Sequence, residues 1–254
     1  MKRIEHIMLP PRYGQRVEEA TGLKKLAYKF LPAHILHPLW FETRLLWRRV
    51  AQWRTERNYR GARNILLNAG SGDKGRSGWV NMDAFPCESV NCVYDCRKVF
   101  PFPDEAVRAI FCEHFFEHLD YTEEVPHFLS ECFRVLQPGG VLRIIVPDAG
   151  RYLHAYVEPG WLELERLRLL DAEHAEKGGE VRYHTKMEVI NEVFRQAYEH
   201  KYAYDHETIE FLLKRYGFGQ VIHQRFNQSL IPELRLDQPE RASESLYIEG
   251  QKSD

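Results

Sequence analysis

The chain has 254 residues, of which 44% are hydrophobic and 28% are charged, a composition typical of soluble proteins. No stretch approaches about eighteen uninterrupted apolar residues, which excludes a membrane-spanning helix. Residues 1–20 lack the apolar core and cleavage site of a secretion signal, and the five cysteines are an odd number without the spacing of a disulfide framework. We therefore expect a cytoplasmic protein with reduced thiols. Cys87, Cys92 and Cys96 have no evident fourth ligand nearby, so we predict no metal-binding residues.

Charge divides the chain into two regions. Residues 1–63 contain 14 Lys and Arg against 5 Asp and Glu, a balance of +9, whereas the remainder contains 21 against 32, a balance of −11. We predict a basic helical N-terminal extension over residues 1–60 and a second domain over residues 61–254. The strongly basic extension indicates contact with something acidic, either inside the protein or outside it.

Two helical segments are predicted in the extension. The first, "GLKKLAYKFL", is short and basic. In the second, apolar side chains recur at spacings of three and four, which predicts one apolar helix face. These side chains are Trp40, Leu46, Trp47, Val50 and Trp53. Two interpretations stay open: the helices pack on the acidic body, or they contact anionic lipid head groups or an acidic protein peripherally.

From residue 64 onward, strand and helix patterns alternate, which predicts an α/β fold with a Rossmann-like, mostly parallel sheet of about seven strands. The predicted strands are "NILLNAG", "GWVNMDA", "NCVYDC", "VRAIFCEH", "VLRIIVPD", "GQVIHQRF" and "SESLYIEGQK". The order is five β/α steps, a helical insertion at about residues 150–200, and then a helix and two strands. One helix in "YTEEVPHFLSECFRVLQPGG" is expected to end before Gly139 and Gly140. The last helix is expected to have Asp205 as its N-cap and Gly217 as its C-terminal cap.

A glycine loop follows the first strand. Gly70, Gly72 and Gly75 form G-x-G-x-x-G, which is typical of a dinucleotide site whose third glycine opens a helix. Here the next strand begins at Trp79, so the shortened first crossover lacks the helix N-terminus that receives a pyrophosphate. That absence excludes a nicotinamide-dependent oxidoreductase, whereas Asp83 can still accept both hydroxyl groups of a ribose. The missing helix also leaves one sheet face thin, and the N-terminal helices are expected to cover it.

Several segments resemble a known family. The segments "LLNAGSGDKGRSGWVNMDA", "YDCRKVFPFPDEAVRAIFCEHFFEHL" and "RVLQPGGVLRIIVPD" resemble successive motifs of the class I S-adenosylmethionine-dependent methyltransferases and cover roughly residues 64–148. The later segments "YDHETIEFLLKRYGF" and "RASESLYIEGQK" are similar to those of a bacterial subgroup often associated with surface-polysaccharide or other glycan assembly. The resemblance implies S-adenosylmethionine as the cofactor.

The resemblance also implies a cofactor-binding set at the ends of the first four strands. Asp83 would bind the ribose hydroxyls, Asp95 would accept from the adenine amino group, and His114 would border the methyl group. Asn68 stands where many relatives have Asp or Glu. The full expected set is Asn68, Ala69, Gly70, Ser71, Gly72, Asp83, Ala84, Asp95, Cys96, Cys112, Glu113 and His114.

Methyl transfer to a sugar hydroxyl requires alignment of the acceptor with the methyl group and removal of the hydroxyl proton. A general base assists such a proton transfer by roughly 10²–10⁴-fold, and histidine is the usual choice because its ordinary pKa is about 6.5. We predict His200 and His114 as the catalytic candidates, with Asp148 as a carboxylate alternative. His118 is expected to fix a turn by hydrogen bonding. The expected substrate-binding residues are Asp148, Arg151, Tyr152, His184 and Tyr204.

The leading functional hypothesis is O-methylation of a sugar in a glycan or glycolipid at the cytoplasmic side of a membrane. Methylation of a small metabolite or natural product is the second hypothesis, and a non-catalytic binding partner with the same fold is the third. Binding to a specific nucleic acid is not expected, because the body is acidic and a basic extension alone gives only salt-sensitive attraction. The sequence predicts no particular oligomeric state.

Overall fold

The computed structural model describes residue 26 and residues 30–49, 52–168 and 183–253. The predicted helix "GLKKLAYKFL" lies mostly outside the described residues. So do the side chains of Trp47, Val50 and Trp53, which were expected on one helix face. No helix in these described ranges is long and apolar enough to cross a membrane.

The N-terminal extension contains two described helices, α1 (Ala33–Arg49) and α2 (Gln52–Tyr59). The predicted apolar face is wrong for Leu46, which is 60% exposed, whereas Leu36 and Leu45 are buried. In this turn the buried residue is Leu45, one position before the predicted Leu46, so the apolar face is shifted by one position near the end of the helix.

The second domain is built on one seven-stranded sheet, as predicted. Its strand order is β3-β2-β1-β4-β5-β7-β6, and every strand except β7 runs in the same direction. The strands are β1 (Ile65–Ala69), β2 (Val80–Asp83), β3 (Cys92–Val93), β4 (Val107–Glu113), β5 (Leu136–Pro147), β6 (Phe218–Gln224) and β7 (Ser245–Lys252).

Fewer helices accompany the sheet than five β/α steps would require. Within residues 65–147, all of which the structure describes, the single α-helix is α3 (Glu124–Val135), between β4 and β5. The first crossover has none, as predicted. The remaining helices are α4 (Ala149–Val157), α5 (Leu162–Leu167), α6 (Lys186–Arg195) and α7 (His206–Arg215). Both predicted caps of α7 are confirmed: Asp205 accepts from the Thr208 amide at 2.9 Å, and Gly217 follows the helix with a φ of +93°.

The strand β5 begins earlier than predicted. The expected start was Val141, after the glycine pair, but Leu136 already pairs with Val107 of β4. The register then shifts so that Ala109 lies opposite Val141. The glycine pair therefore lies in an irregular segment inside the strand, and α3 ends at Val135 without a glycine cap.

Two different layers cover the two sheet faces. On one face, α3, α7 and Tyr59 of α2 pack over the larger apolar core. On the other face, Leu234 in the connection between β6 and β7 packs against Trp79 and Phe111. The expectation that the N-terminal helices cover the thin face is wrong for the two described helices, α1 and α2, because residues 225–241 of this connection cover it.

A buried ion pair fixes this connection to the sheet. The Arg143 side chain of β5 is fully buried, and its Nε and Nη1 donate to Asp237 at 2.9 Å and to Glu249 of β7 at 2.8 Å. The Arg143 Nη1 also donates to the carbonyl of Gln228 at 2.8 Å. One arginine thus joins β5, β7 and the covering connection.

Candidate active site

The order of the strands indicates where a ligand binds. In open parallel sheets, ligands bind beyond the carboxyl ends of the strands where the strand order reverses direction. Here β1 lies between β2 and β4, so this switch point is formed by the loops that follow β1 and β4. The loops after β2, β3 and β5 reach the same edge.

The glycine loop after β1 has the backbone shape of a ligand-binding turn. Gly70 and Gly72 have φ values of +69° and +49°, and a Cβ atom on Gly72 would meet nothing within 4 Å. The amides of Gly70 and Ser71 both donate to the carbonyl of Met82. The Ser71 hydroxyl is buried without a hydrogen-bond partner among the described residues. Open space beside Gly72 and an unsatisfied hydroxyl at Ser71 fit a polar ligand above this loop.

The Asn68 side chain at the end of β1 connects the glycine loop to β2. Its amide nitrogen donates to the carbonyl of Lys74 at 3.1 Å and to the Asn81 side chain at 3.2 Å. Ala69 is fully buried at the end of β1. Both predicted cofactor residues therefore shape the loop, and their described contacts are with the protein.

Asp83 joins the end of β2 to the glycine loop. Its Oδ2 accepts from the Gly72 amide at 3.0 Å and its Oδ1 accepts from the Phe85 amide at 2.9 Å. A carboxylate has about four acceptor positions, so two remain for a ligand such as a diol. Ala84 follows Asp83 and is only half-buried.

Asp95 lies at the end of β3 and is paired with a residue that the sequence analysis missed. Arg97 donates through Nε and Nη2 to the two Asp95 oxygens at 2.9 and 3.0 Å. Burial alone would raise the Asp95 pKa, but the hydrogen bonds and charge of Arg97 outweigh it and hold the pKa below its ordinary value. An adenine amino group would share this carboxylate with Arg97. Cys96 beside it is buried.

Arg97 also brings the N-terminal extension to this edge. Its Nη1 donates to Glu42 of α1 at 2.7 Å and to Glu124 of α3 at 2.9 Å. The Phe41 ring of α1 lies 5.2 Å from the Arg97 guanidinium and 5.2 Å from the Phe85 ring. The extension is therefore part of the wall on the β2–β3 side of the site.

The residues at the end of β4 and directly after it contact different parts of the protein. Cys112 is fully buried, and the Glu113 carboxylate accepts from the amide and side chain of Gln238 at 3.0 and 2.8 Å. Glu113 thus holds the covering connection in place. His114 has a φ of +50°, and its Nδ1 and Nε2 lie 3.2 Å from Glu117 and 3.0 Å from the Ser245 hydroxyl.

Four residues form what we call the histidine cluster: His114, Glu117, His118 and His200. Burial would raise the Glu117 pKa, but the hydrogen bond from His114 and the nearby imidazoles lower it to about 2, so the carboxylate is ionised. Burial lowers the pKa of His200 to about 4, against the opposing effect of Glu117. The His118 and His200 rings meet edge to face with centroids 4.8 Å apart. The structure therefore brings His114 and His200 together around a carboxylate that the sequence analysis did not select.

The predicted substrate residues occupy different environments. Asp148 caps α4 by accepting from the Arg151 amide at 3.0 Å, and it pairs with Tyr204 through an isolated bridge. Tyr152 is buried and donates to Glu244 at 2.6 Å. Tyr204 is buried, and its hydroxyl has no described partner. The Arg151 and His184 side chains are exposed, and no described contact brings His184 to the histidine cluster.

A polar pocket opens between the end of β5, α6 and the turn before β7. His200 lines it, and its six other residues were not predicted from sequence because they come from distant segments. The lining residues are Pro147, Arg168, Val193, Gln196, His200, Arg241 and Glu244. Its guanidinium, amide, imidazole and carboxylate groups offer donors and acceptors together, as a hydroxyl-rich ligand requires.

Comparison with known proteins agrees with this geometry. Residues 81–144 match the model of a methyltransferase domain family. No curated protein sequence matches the chain significantly.

Similar folds occur among solved structures. A SAM-dependent methyltransferase from Archaeoglobus fulgidus has 16% identity and a TM-score of 0.43, with 81% of this chain and 94% of that chain covered. One from Methanosarcina mazei has 16% identity and a TM-score of 0.43, with coverage of 78% and 96%. At these identities and TM-scores, the structural similarity carries no argument about function.

The matched segment begins in β2 and ends in β5, so it includes the edge where Asp83, Asp95 and His114 lie. Together with the sheet order and the glycine loop, this match indicates a methyltransferase with S-adenosylmethionine as its cofactor.

Proposed function

We propose that this chain transfers a methyl group from S-adenosylmethionine to a hydroxyl group of a sugar in a glycan or glycolipid. The observation that carries the proposal is the set of polar side chains around His200 at the carboxyl edge of β5, which line a cavity of about 20 Å³. These charged and amide side chains can exchange hydrogen bonds with one hydroxyl group of an acceptor. The glycan association also draws on the resemblance of the C-terminal segments.

The chain's own groups provide the cofactor-binding site. The two open acceptor positions of Asp83 suit a ribose diol, and the Ser71 hydroxyl lacks a partner that a ligand would supply. The left-handed glycines bring the backbone close to the ligand because they have no Cβ atom. When bound, S-adenosylmethionine supplies an activated methyl group. The protein's task is then to hold an acceptor oxygen in line with that group, and alignment contributes several kcal/mol.

His200 and His114 are the proposed proton acceptors. The His200 ring is neutral at pH 7, and its depressed pKa makes it a weak base. Both His114 nitrogens already have partners in Glu117 and Ser245. Proton removal by these imidazoles alone is therefore expected to be inefficient.

Calorimetric titration with S-adenosylmethionine, and with NAD in parallel, tests the cofactor-binding part. We expect binding of the first, no binding of the second, and at least roughly tenfold weaker binding by Asp83→Ala, since hydrogen bonds to a charged group contribute about 1.5–3 kcal/mol. Asp73→Ala, an exposed acidic residue in the same loop, is the matched control. Tighter binding of NAD, or equal loss in both variants, would overturn the assignment.

A mass spectrometric assay tests the acceptor. Lipid-linked and free glycans are incubated with methyl-labelled cofactor, and the product is digested to locate the label on a sugar oxygen. Label found only on small metabolites would favour the second hypothesis from the sequence. Intact cofactor binding without label on any acceptor would favour a binding partner without turnover.

We also propose that the N-terminal extension contacts an anionic membrane surface. Leu36 and Leu45 of α1 are buried, while Ile35, Leu39 and Leu46 are 45%, 52% and 60% exposed. These exposed residues are separated by four and seven positions, so they share one helix face. An apolar face within a segment of net charge +9 is suited to the interface of an anionic membrane. An acidic protein is the alternative partner.

A further inference from the structure

The histidine cluster contains a carboxylate oxygen that the protein leaves unsatisfied. Glu117 lies in the turn Phe116–His118 after β4 and is 2% exposed. Its Oε1 lies 3.2 Å from His114 Nδ1, whereas its Oε2 is buried and has no hydrogen-bond partner among the described residues. A buried charged group without a partner costs more than the 1–3 kcal/mol of a neutral one. Something outside the described protein atoms is therefore expected at this oxygen.

Two imidazole rings of the histidine cluster are each held by a backbone carbonyl oxygen. His118 Nδ1 lies 3.1 Å from the Glu199 carbonyl, and His200 Nδ1 lies 2.6 Å from the Val193 carbonyl. A carbonyl oxygen only accepts hydrogen bonds, so each Nδ1 carries a proton, and in a neutral imidazole Nε2 then carries the lone pair. Imidazoles that bind metal ions are held in this way by a carbonyl or carboxylate behind the ring.

The three side chains converge. One ligand atom from each of Glu117, His118 and His200 lies within 4.8 Å of the other two, and His200 Nε2 lies 3.9 Å from Glu117 Oε1. A single water has two hydrogens, so it cannot donate to three acceptors at once. A cation satisfies all three together.

We propose that Glu117, His118 and His200 bind a divalent transition-metal ion, with Zn²⁺ as the first candidate. Two imidazoles and one carboxylate are a ligand set of catalytic zinc sites, in which three protein ligands leave the fourth position open. Imidazole selects transition metals such as zinc, iron and nickel over Mg²⁺ or Ca²⁺, which prefer oxygen. His114 supports the site as a positioning residue, because it holds Glu117 Oε1 and leaves Oε2 for the ion.

The open position would face the acceptor side of the site. His200 lines the polar pocket, so the ion lies at the pocket's inner end. An acceptor hydroxyl bound to the ion would lose its proton more readily, because a metal ion lowers the pKa of a coordinated oxygen. In that case His200 is a ligand and not the base. This role rests on the proposed function, whereas the ion site itself does not.

Metal binding by the full chain tests the proposal without cofactor or acceptor. The chelator-treated protein is titrated with Zn²⁺ by calorimetry, and its metal content is measured after gel filtration. We expect one equivalent bound per chain and at least about 100-fold weaker binding by His118→Ala and His200→Ala. His154→Ala, whose ring is 76% exposed on α4, is the matched control and should bind like the parent.

Cobalt spectroscopy keeps the proposal testable if a cluster variant fails to fold. Co²⁺ bound to the parent protein should give the visible bands of a four- or five-coordinate nitrogen–oxygen site without a thiolate charge-transfer band. Glu117→Gln keeps the side-chain shape but removes the charge, and it should lose these bands. A thiolate band would place the ion on cysteines and overturn the proposal. Substoichiometric binding, or equal binding by all variants with native circular dichroism, would also overturn it.

Discussion

Phe115 lies so close to Gly70 that a Cβ atom on Gly70 would come within 2.1 Å of the Phe115 ring. Gly70 belongs to the loop after β1, and Phe115 follows β4, so the contact joins the two sides of the switch point. Only a residue without a side chain allows this closure.

We expect Gly70→Ala to destabilise the protein by about 2 kcal/mol or more. A left-handed non-glycine residue costs roughly 1–2 kcal/mol, and displacing the Phe115 ring adds roughly 1–3 kcal/mol. Gly72→Ala has the same kind of backbone strain but open space around its Cβ, so it should lose only about 1 kcal/mol. Urea unfolding of both variants measures the difference. Equal stabilities would show that Phe115 moves aside freely.

Arg97→Ala should destabilise the folded protein, because it removes the guanidinium that donates to both oxygens of the buried Asp95 carboxylate. Breaking a buried pair typically costs about 3–5 kcal/mol, and the value here should be at the lower end because the Arg97 side chain is 16% exposed. Lys98→Ala removes an exposed charge next to it and should change stability by less than about 0.5 kcal/mol. Chemical unfolding at pH 7 compares the two variants.

The same pair predicts a pH dependence. Arg97 holds the folded-state pKa of Asp95 below its ordinary value of 3.8. The stabilising contribution of the Asp95–Arg97 pair is therefore fully present above pH 3.8 and is lost as the pH falls through the folded-state pKa of Asp95. The stability difference between the parent and Arg97→Ala should shrink in that acidic range. A difference that stays constant down to the acid transition would contradict the pairing.

Arg143→Met should be among the most destabilising substitutions in the described part of the chain. It removes the single cation between Asp237 and Glu249, both fully buried, and such losses cost about 3–5 kcal/mol. Arg166→Ala breaks an exposed pair with Glu163 and should cost about 0.5 kcal/mol or less. Thermal unfolding of the two variants and the parent measures the loss of stability in each. A small effect of Arg143→Met would mean that the connection over the second face relaxes to admit water.

Membrane contact predicts that Ile35→Ser combined with Leu39→Ser weakens binding to anionic vesicles about thirtyfold. Each side chain is about half exposed, so each would bury enough area to contribute about 1 kcal/mol. Leu153→Ser with Val157→Ser changes an equally exposed apolar pair on α4 and is the control. Cosedimentation with vesicles of neutral and anionic lipid at two salt concentrations gives the measurement. Equal binding to neutral and anionic vesicles, or an equal loss of vesicle binding in both double variants, would contradict the proposal.

Local patterns were sufficient to predict the strands and the last helix. The residues of β1, β2 and β4 are apolar runs that end in glycine or acidic residues, and such patterns depend on neighbours in the sequence. The caps Asp205 and Gly217 are equally local. The shifted apolar face of α1 was not predictable in this way, because either of two adjacent helix faces contains enough apolar residues to pack.

Long-range pairings account for what the sequence did not indicate. His118 and His200 meet only because the segment after α6 returns to the end of β4, and no spacing rule relates the two. Arg97 lies two residues after Asp95, yet no pattern in the neighbouring sequence shows that its guanidinium pairs with that carboxylate. The acidic partner Glu117 was obscured because glutamate beside histidine is also common in ordinary turns.

The position of β7 has a consequence for synthesis of the protein. The strand is last in the chain, yet it lies between β5 and β6 and supplies Glu249 to Arg143. Domains generally form from their N-terminal parts as a chain emerges from the ribosome. Here β5 keeps an open hydrogen-bonding edge, and Arg143 lacks its partner Glu249, until β7 has been synthesised. Premature termination before β7 would therefore leave β5 and β6 unjoined, with an exposed edge prone to aggregation.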